Sequence, residues 1–281
     1  MTPDLPTPPR PLPVAVVQLT STPDLARNLQ AISDLTADAA RAGARFVALP
    51  ENALWLRTSP DDKAPVEPVD GPLVSRLRGL AGDLGVHLLL GSYPETSPVA
   101  GRYYNTSVLI DGTQSEAPVT ATYRKLHLFD IDVAQGESQR ESDTITPGDA
   151  VVTADVAGAT LGLSICYDLR FPRLYQRLVD VGARMLAVPS AFTEFTGKDH
   201  WLVLLRARAI ETQTFVVAPD QSGFHGGKRR SYGKSVIIDP WGIPLAMAGD
   251  GPGFALAWLD FAKQDAVRAS LPCLHHRHPA V

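Results

Sequence analysis

The sequence predicts an α/β fold in a single domain. Short apolar runs rich in Val, Leu, Ile and Ala alternate with helical patterns, and the alternation recurs along most of the 281 residues. No stretch rich in Gly, Ser or Pro divides the chain, and no internal repeat is visible. Strand–helix alternation of this kind places reactive groups at the carboxyl ends of strands. The expected domain runs over residues 14–270, after an extended Pro-rich lead-in (1–13) and before a tail (271–281).

VAVVQLT (14–20) reads as a strand, and RNLQAISDLTADAARAG (27–43) as a helix closed by Gly43. RFVALPE (45–51) is a strand that ends on a carboxylate. GPLVSRLRGLAGDLG (71–85) is a helix and VHLLLGSY (86–93) a strand. YNTSVLI (104–110) and ATYRKLHLF (121–129) follow as strands, then a run in which Leu161, Leu163 and Ile165 alternate up to Cys166. PRLYQRLVDVG (172–182) is a helix, RMLAVPSAF (184–192) a strand, and DHWLVLLRARAIETQ (199–213) a strongly apolar helix. TFVVAPDQ and GKSVIIDPWG are strands, the second closing in a turn at Asp239–Gly242.

Composition narrows the function. A chain with 44% hydrophobic and 20% charged residues is globular and soluble. The net charge of −4 and the lack of a long basic run exclude nucleic acid as the indicated partner. No apolar run approaches bilayer length. The first residues lack the basic start and apolar core of a secretion signal. Two cysteines, Cys166 and Cys273, make no disulfide framework. A cytoplasmic location is expected.

Three polar groups stand where strand patterns stop: Glu51 after VALP, Lys125 within YRKLHLF and Cys166 after LSI. Adjacent strands would gather them around one pocket. A thiolate there could attack a carbonyl, a carboxylate could take and return the proton, and a cation with backbone amides could hold the oxyanion. Two other readings stay open on the residues alone. Cys166 could be a buried small apolar residue. His127, two residues past Lys125 and on the same strand face, could be the base.

ALPENAL, YRKLHLFD and SICYDLRFPRLY resemble the three catalytic motifs of the nitrilase, or carbon–nitrogen hydrolase, superfamily. They occur in the family's order, 74 residues (51 to 125) and 41 residues (125 to 166) apart. The likeness continues through PSAFTEFTGKDHW, LLRARAIETQ, KRRSYGKS and DPWG. It implies a four-layer α–β–β–α sandwich, with Glu51 as general base, Lys125 as oxyanion-stabilising cation and Cys166 as nucleophile. The Tyr167 backbone N–H would join Lys125, and Lys125 would favour the thiolate. A second glutamate is implied shortly before a PG turn: Glu141 in ESDTITPGD, with Glu137 as fallback. His127 becomes structural, and no metal or organic cofactor is required.

Resemblance to carbamoylases and amidases gives Arg170 a role in binding a substrate carboxylate, which its fork suits. Pairing with Asp168, or capping the next helix, is the rival reading. Tyr167, Phe192 and Thr193 would line the same pocket. QSGFHGGKRRSYG (221–233), with Lys228, Arg229 and Arg230, is either a solvated surface loop or a reader of a second acidic group. HLFDID, RESDTITPGD, HWLVLLRARAIETQ and SYGKSVIIDPWG resemble the branch that holds deaminated glutathione amidase and ω-amidase. The implied reaction cleaves deaminated glutathione to 2-oxoglutarate and cysteinylglycine. 2-Oxoglutaramate, or another carboxylate-bearing amide or carbamoyl compound, is the alternative substrate. Lys234 departs from the histidine frequent in that branch. The branch also implies a homodimer or larger even assembly, paired through helices near the nucleophile.

A silent binding protein would not need all of Glu51, Lys125 and Cys166, and a redox sensor would want a resolving thiol near Cys166. Cys273, His275, His276 and His278 carry ligating atoms in the tail, but their spacing matches no paired zinc pattern. Asn105-Thr106-Ser107 spells a glycosylation sequon that a cytosolic chain would not use. GDGPGF (249–254) reads as a turn.

Overall fold

The computed structural model describes residues 11–132 and 138–278. In the first half of the chain the strands are β1 (Leu12–Gln18), β2 (Phe46–Ala48), β3 (His87–Thr96), β4 (Tyr103–Asp111), β5 (Val119–Arg124), β6 (Asp130–Asp132), β7 (Ser138–Arg140) and β8 (Ile145–Thr146). Then come β9 (Thr153–Val156), β10 (Ala159–Leu163), β11 (Met185–Ala187), β12 (Phe215–Ala218), β13 (Ser222–Gly226), β14 (Arg229–Tyr232), β15 (Val236–Ile238), β16 (Pro244–Met247) and β17 (Gly253–Leu259). The helices are α1 (Leu25–Arg41), α2 (Pro72–Leu84), α3 (Pro172–Asp180), α4 (Glu194–Thr212) and α5 (Phe261–Ser270). Among the described residues, no helix is long and apolar enough to cross a membrane.

Two sheets carry the fold. The first has the order β17-β1-β2-β3-β4-β5 with β8 on β4, and the second β16-β15-β12-β11-β10-β9. Each has a parallel centre, β1-β2-β3 or β10-β11-β12, flanked by antiparallel strands. The side-chain period of two sorts each strand between two apolar layers. In β1, Leu12, Val14 and Val16 face the space between the sheets, together with Leu161, Leu163 and Val217. Ala15 and Val17 face outward onto Leu29, Ile32, Val74 and Leu77 of α1 and α2. The second sheet is covered by Leu174, Tyr175 and Leu178 of α3 and by Trp201, Leu205 and Ala209 of α4. This is the four-layer α–β–β–α arrangement. Strands buried on both faces read as continuous apolar runs, and so they stood out in the sequence.

The element boundaries differ from the sequence reading where the site lies. β1 already includes Leu12 and Pro13, two residues assigned to the lead-in. β2 and β11 pair over only three residues each, and 49–51 and 188–193 run on as loops over the sheet edges. β5 ends at Arg124, so Lys125 and His127 do not share a strand face. α4 starts at Glu194 rather than Asp199 and takes in Gly197, whose lack of a side chain admits Tyr232. A Cβ there would lie 2.3 Å from the Cβ of Tyr232. Tyr232 belongs to the hairpin β13–β14, where the sequence reads as an irregular loop over 221–233.

Candidate active site

Segments that follow β2, β5, β7 and β10 bring four predicted residues together. Glu51 lies three residues past β2 and Lys125 one past β5; their side chains are only 2% and 1% exposed. The Lys125 ammonium donates to Glu51 Oε1 at 2.9 Å and sits 2.9 Å from Glu141 Oε2. Glu141 opens a short 3-10 turn, and its Oε2 also accepts the Phe129 N–H at 2.8 Å. Glu137, the fallback, lies outside the described residues.

Two further donors fix the Glu51 carboxylate. Asn105 Nδ2 donates to Oε1 and the Ala191 N–H to Oε2, each at 2.9 Å. Sequence reading missed both. Asn105 was visible only as a sequon, yet it is buried on β4. The backbone supplies a hint that only a register could give: the Lys125 N–H donates to the Asn105 carbonyl at 3.0 Å.

Cys166 begins a second 3-10 turn, Cys166–Arg170, three residues past β10. Its φ is +46°, a left-handed conformation that costs a non-glycine residue about 1–2 kcal/mol. Asp168, fully buried, holds that turn. It accepts the Ile165 N–H at 2.9 Å, the Tyr123 hydroxyl at 2.6 Å and the His127 N–H at 3.0 Å. The His127 ring bonds the same carboxylate at 2.7 Å and stacks on Phe171 with centroids 3.7 Å apart. His127 therefore braces the Cys166 turn through Asp168. The Cys166 N–H donates to Pro189 O at 2.9 Å, tying the turn to the loop that carries Ala191.

Electrostatics set the resting protonation. Burial works to raise the Glu51 pKa, but Lys125 overrides it and holds the carboxyl below its usual range. Burial lowers the Lys125 ammonium, and Glu141 and Glu51 more than reverse this. The Cys166 thiol is pushed well up by burial and then by the Glu51 charge, and Lys125 offsets only part of that. Lys125 does favour the thiolate, as expected, but burial and the Glu51 charge outweigh it. The resting site holds a neutral thiol beside an ionised carboxylate.

Around the thiol, Tyr167, Arg170, Phe192 and Thr193 line a cavity of about 20 Å³. That is room for a water or two, so an acyl group must displace half-exposed side chains such as Tyr167 and Arg170. Arg170 does not pair with Asp168. Its guanidinium lies 5.2 Å from the Phe192 ring and 5.9 Å from Tyr167, with His200 at 3.3 Å. Among the described residues no carboxylate pairs with it. The basic hairpin divides its charges: Arg230 pairs with Glu194 at 2.8 Å, whereas Arg229 reaches the cavity wall and helps hold Glu51 ionised. Lys234 pairs with Asp250 at 2.6 Å. In the tail, Arg277 bonds Asp180 at 2.7 Å, and no three ligating side chains among the described residues converge on a metal site.

The model of the carbon-nitrogen hydrolase family matches residues 13–269. The chain belongs to the carbon–nitrogen hydrolase family. As a member of it, the protein is a hydrolase acting on amide carbon–nitrogen bonds. It is 42% identical over 272 residues to the deaminated glutathione amidase of Synechocystis sp., covering 95% of this chain and 98% of that one. The crystal structure of the C. elegans NitFhit protein matches with a TM-score of 0.88 at 34% identity, over 97% of this chain and 66% of that chain. A variant of the Nesterenkonia sp. amidase matches at 28% identity and a TM-score of 0.72, covering 93% of this chain and 96% of that chain. It shows covalent addition of the acetamide moiety of fluoroacetamide at its active-site cysteine.

The hairpin in this carbon–nitrogen hydrolase is pinned by His225, whose ring bonds Ser21 O at 2.8 Å and Ser231 Oγ at 2.9 Å. Burial drops its pKa from 6.5 to about 4. Between those values the unfolded chain takes up a proton that the folded one refuses, so stability falls as pH falls, by up to about 3 kcal/mol. Urea unfolding of wild type and His225→Gln should show a weaker acid destabilisation in the variant from pH 6.5 to 4. Parallel curves would refute the assignment.

Proposed function

We propose that the protein hydrolyses deaminated glutathione to 2-oxoglutarate and cysteinylglycine through a thioester on Cys166. The observation that carries this is geometric: Cys166 and Glu51 line one cavity, and Lys125, Asn105 and Ala191 hold the Glu51 carboxylate in place there. As Sγ bonds to the amide carbon, its proton passes to Glu51. The carbonyl oxygen takes up the electron pair and is held by Lys125 and the Tyr167 N–H; losing one such donor costs roughly 2.7–4 kcal/mol. Glu51 then gives the proton to the departing amine, leaving the acyl group on sulfur. In the second half Glu51 deprotonates water, which attacks the thioester, and the proton returns to the thiol as the acid leaves. Glu141 positions Lys125.

Support for the substrate comes from two directions. The Synechocystis relative is named a deaminated glutathione amidase, and Arg170 offers its guanidinium to an acyl-chain carboxylate beside Tyr167, Phe192 and Thr193. The covalent adduct on the Nesterenkonia amidase cysteine supports the nucleophile. The test is kcat/KM for deaminated glutathione and 2-oxoglutaramate, with Cys166→Ala as blank. Deaminated glutathione should be preferred, and Glu51→Gln should lose about 10²–10⁴-fold. Turnover by Cys166→Ala would end the thioester mechanism. Preference for 2-oxoglutaramate would make the protein an ω-amidase.

The same reading includes pairing of two copies through α4, in a cytoplasm that keeps Cys166 and Cys273 reduced. Phe195 and Val203 of α4 are 66% and 67% exposed, and Ile210 is exposed on the same side. Trp241 and Ile243 extend that apolar area, held to α4 by the Arg206 bond to Gly242 O at 2.8 Å. Sedimentation at micromolar concentration should give a dimer or larger even assembly; a monomer would refute the pairing.

A further inference from the structure

Beside the nucleophile's cavity lies a second, larger one of about 490 Å³ that the mechanism above leaves unused. Glu141 and Arg229 stand in the walls of both, so the two spaces adjoin there. Asn52, the residue after Glu51, opens on the second space. The amine must depart next to the group that protonates it, which is Glu51. Glu51 lines the first cavity, and a path from it into the second passes Glu141 and Arg229, which the two share.

The walls of that cavity are built and positively charged. They carry Arg57, Arg140, Lys228 and Arg229 against Glu141 and Asp143, and Glu141 is already engaged with Lys125. At the tip of the hairpin, Gly226 and Gly227 have φ of +122° and +57° and pack on Thr58. A Cβ on Gly227 would lie 2.6 Å from the Thr58 carbonyl oxygen, so the approach requires glycine. The Thr58–Ser59 loop is held in turn by Asp62, which accepts both backbone N–H groups at 2.8 Å. Arg229 Nη1 reaches the Arg57 carbonyl at 3.5 Å. Arg57 lies with its guanidinium 5.8 Å from the Trp55 ring, and its Nε is shielded from solvent without a hydrogen-bond partner. A guanidinium N–H left unmade is costly, and an anion in the cavity would satisfy it once the half-buried Arg57 side chain shifts to expose Nε.

We propose that this cavity is the leaving-group subsite. It takes an amine that continues into a dipeptide-length chain and ends in a carboxylate, which Arg57 and Arg229 receive. The proposal deepens the amidase reading and rests on it. A space of this size suits a small organic ligand, and two extended residues reach about 7 Å, enough to carry a carboxylate away from the thiol. Departing ammonia would leave the cavity unused.

The experiment compares kcat/KM for the 2-oxoglutaryl amides of cysteinylglycine, of cysteinylglycine amide and of ammonia. In the wild type the free carboxylate should be preferred over its carboxamide by about ten-fold or more, the size expected for a charge-assisted hydrogen bond. Arg57→Gln and Arg229→Gln should each bring that ratio towards one, and Arg57→Lys should retain part of it. The ratio does not depend on the fraction of enzyme that folds. A wild-type ratio near one, or a ratio unchanged in both glutamine variants, overturns the subsite and leaves the amidase reading standing. Failure to turn over any of the three overturns the substrate reading and the subsite with it.

Discussion

The site depends on one buried cation. Lys125 is almost wholly removed from water, and an ammonium there is tolerable only when paired and hydrogen-bonded. Glu51 and Glu141 both supply that pairing within 3.0 Å. Removing one partner of such a pair costs about 3–5 kcal/mol, because the other charge stays buried. Three distant segments are thereby forced to meet: the loop after β2, the exit from β5 and the 3-10 turn at Glu141. The same pairing sets the chemistry. Glu51 stays ionised despite burial, and burial followed by the Glu51 charge pushes the neighbouring thiol up.

The rest of the fold holds the thiol against that carboxylate. Cys166 occupies a left-handed conformation that the chain would not adopt on its own. Asp168 over-determines it by accepting groups from Ile165, Tyr123 and His127 at once. The loop after β11 contributes from the other side: Pro189 O accepts the Cys166 N–H, and the Ala191 N–H binds Glu51. Asp220 continues the chain of contacts, accepting the Phe192 and Gly233 amides at 2.9 and 3.1 Å. Both sheets thus contribute a carboxyl edge to one small polar cluster, and the apolar layer between them supplies the rigid frame.

Much of this was legible in the sequence for a definite reason. Central strands buried on both faces read as apolar runs, and Glu51, Lys125 and Cys166 interrupt or end such runs. Their ordered motifs supplied the grouping that separate residues could not. What stayed hidden depends on registers and turns. Asn105 reaches Glu51 only because β4 pairs with β3, the neighbour of β2, and the Ala191 amide has no side-chain signal at all. His127 looked like a base because β5 was read as continuing past Arg124. The protonation of Cys166 could not be ranked from spacing, since Glu51 and Lys125 act on it with opposite sign and only their positions and burial decide. Arg229 and Arg230 are adjacent in sequence, yet alternate along β14, so one reaches the cavity and the other pairs at the surface.

The most direct test is the pH titration of Cys166 by ultraviolet thiolate absorbance, in wild type and in Glu51→Gln, with Cys166→Ala as the blank. The wild type should show no thiolate through neutral pH, and its thiol should ionise above the range of an ordinary cysteine. Glu51→Gln removes the opposing negative charge and leaves Lys125 beside the sulfur, so the ionisation should move to lower pH. A thiolate band already present at neutral pH in the wild type, unshifted in Glu51→Gln, would contradict the account: the nucleophile would then be a preformed ion pair with Lys125, and Glu51 would not be the acceptor of its proton.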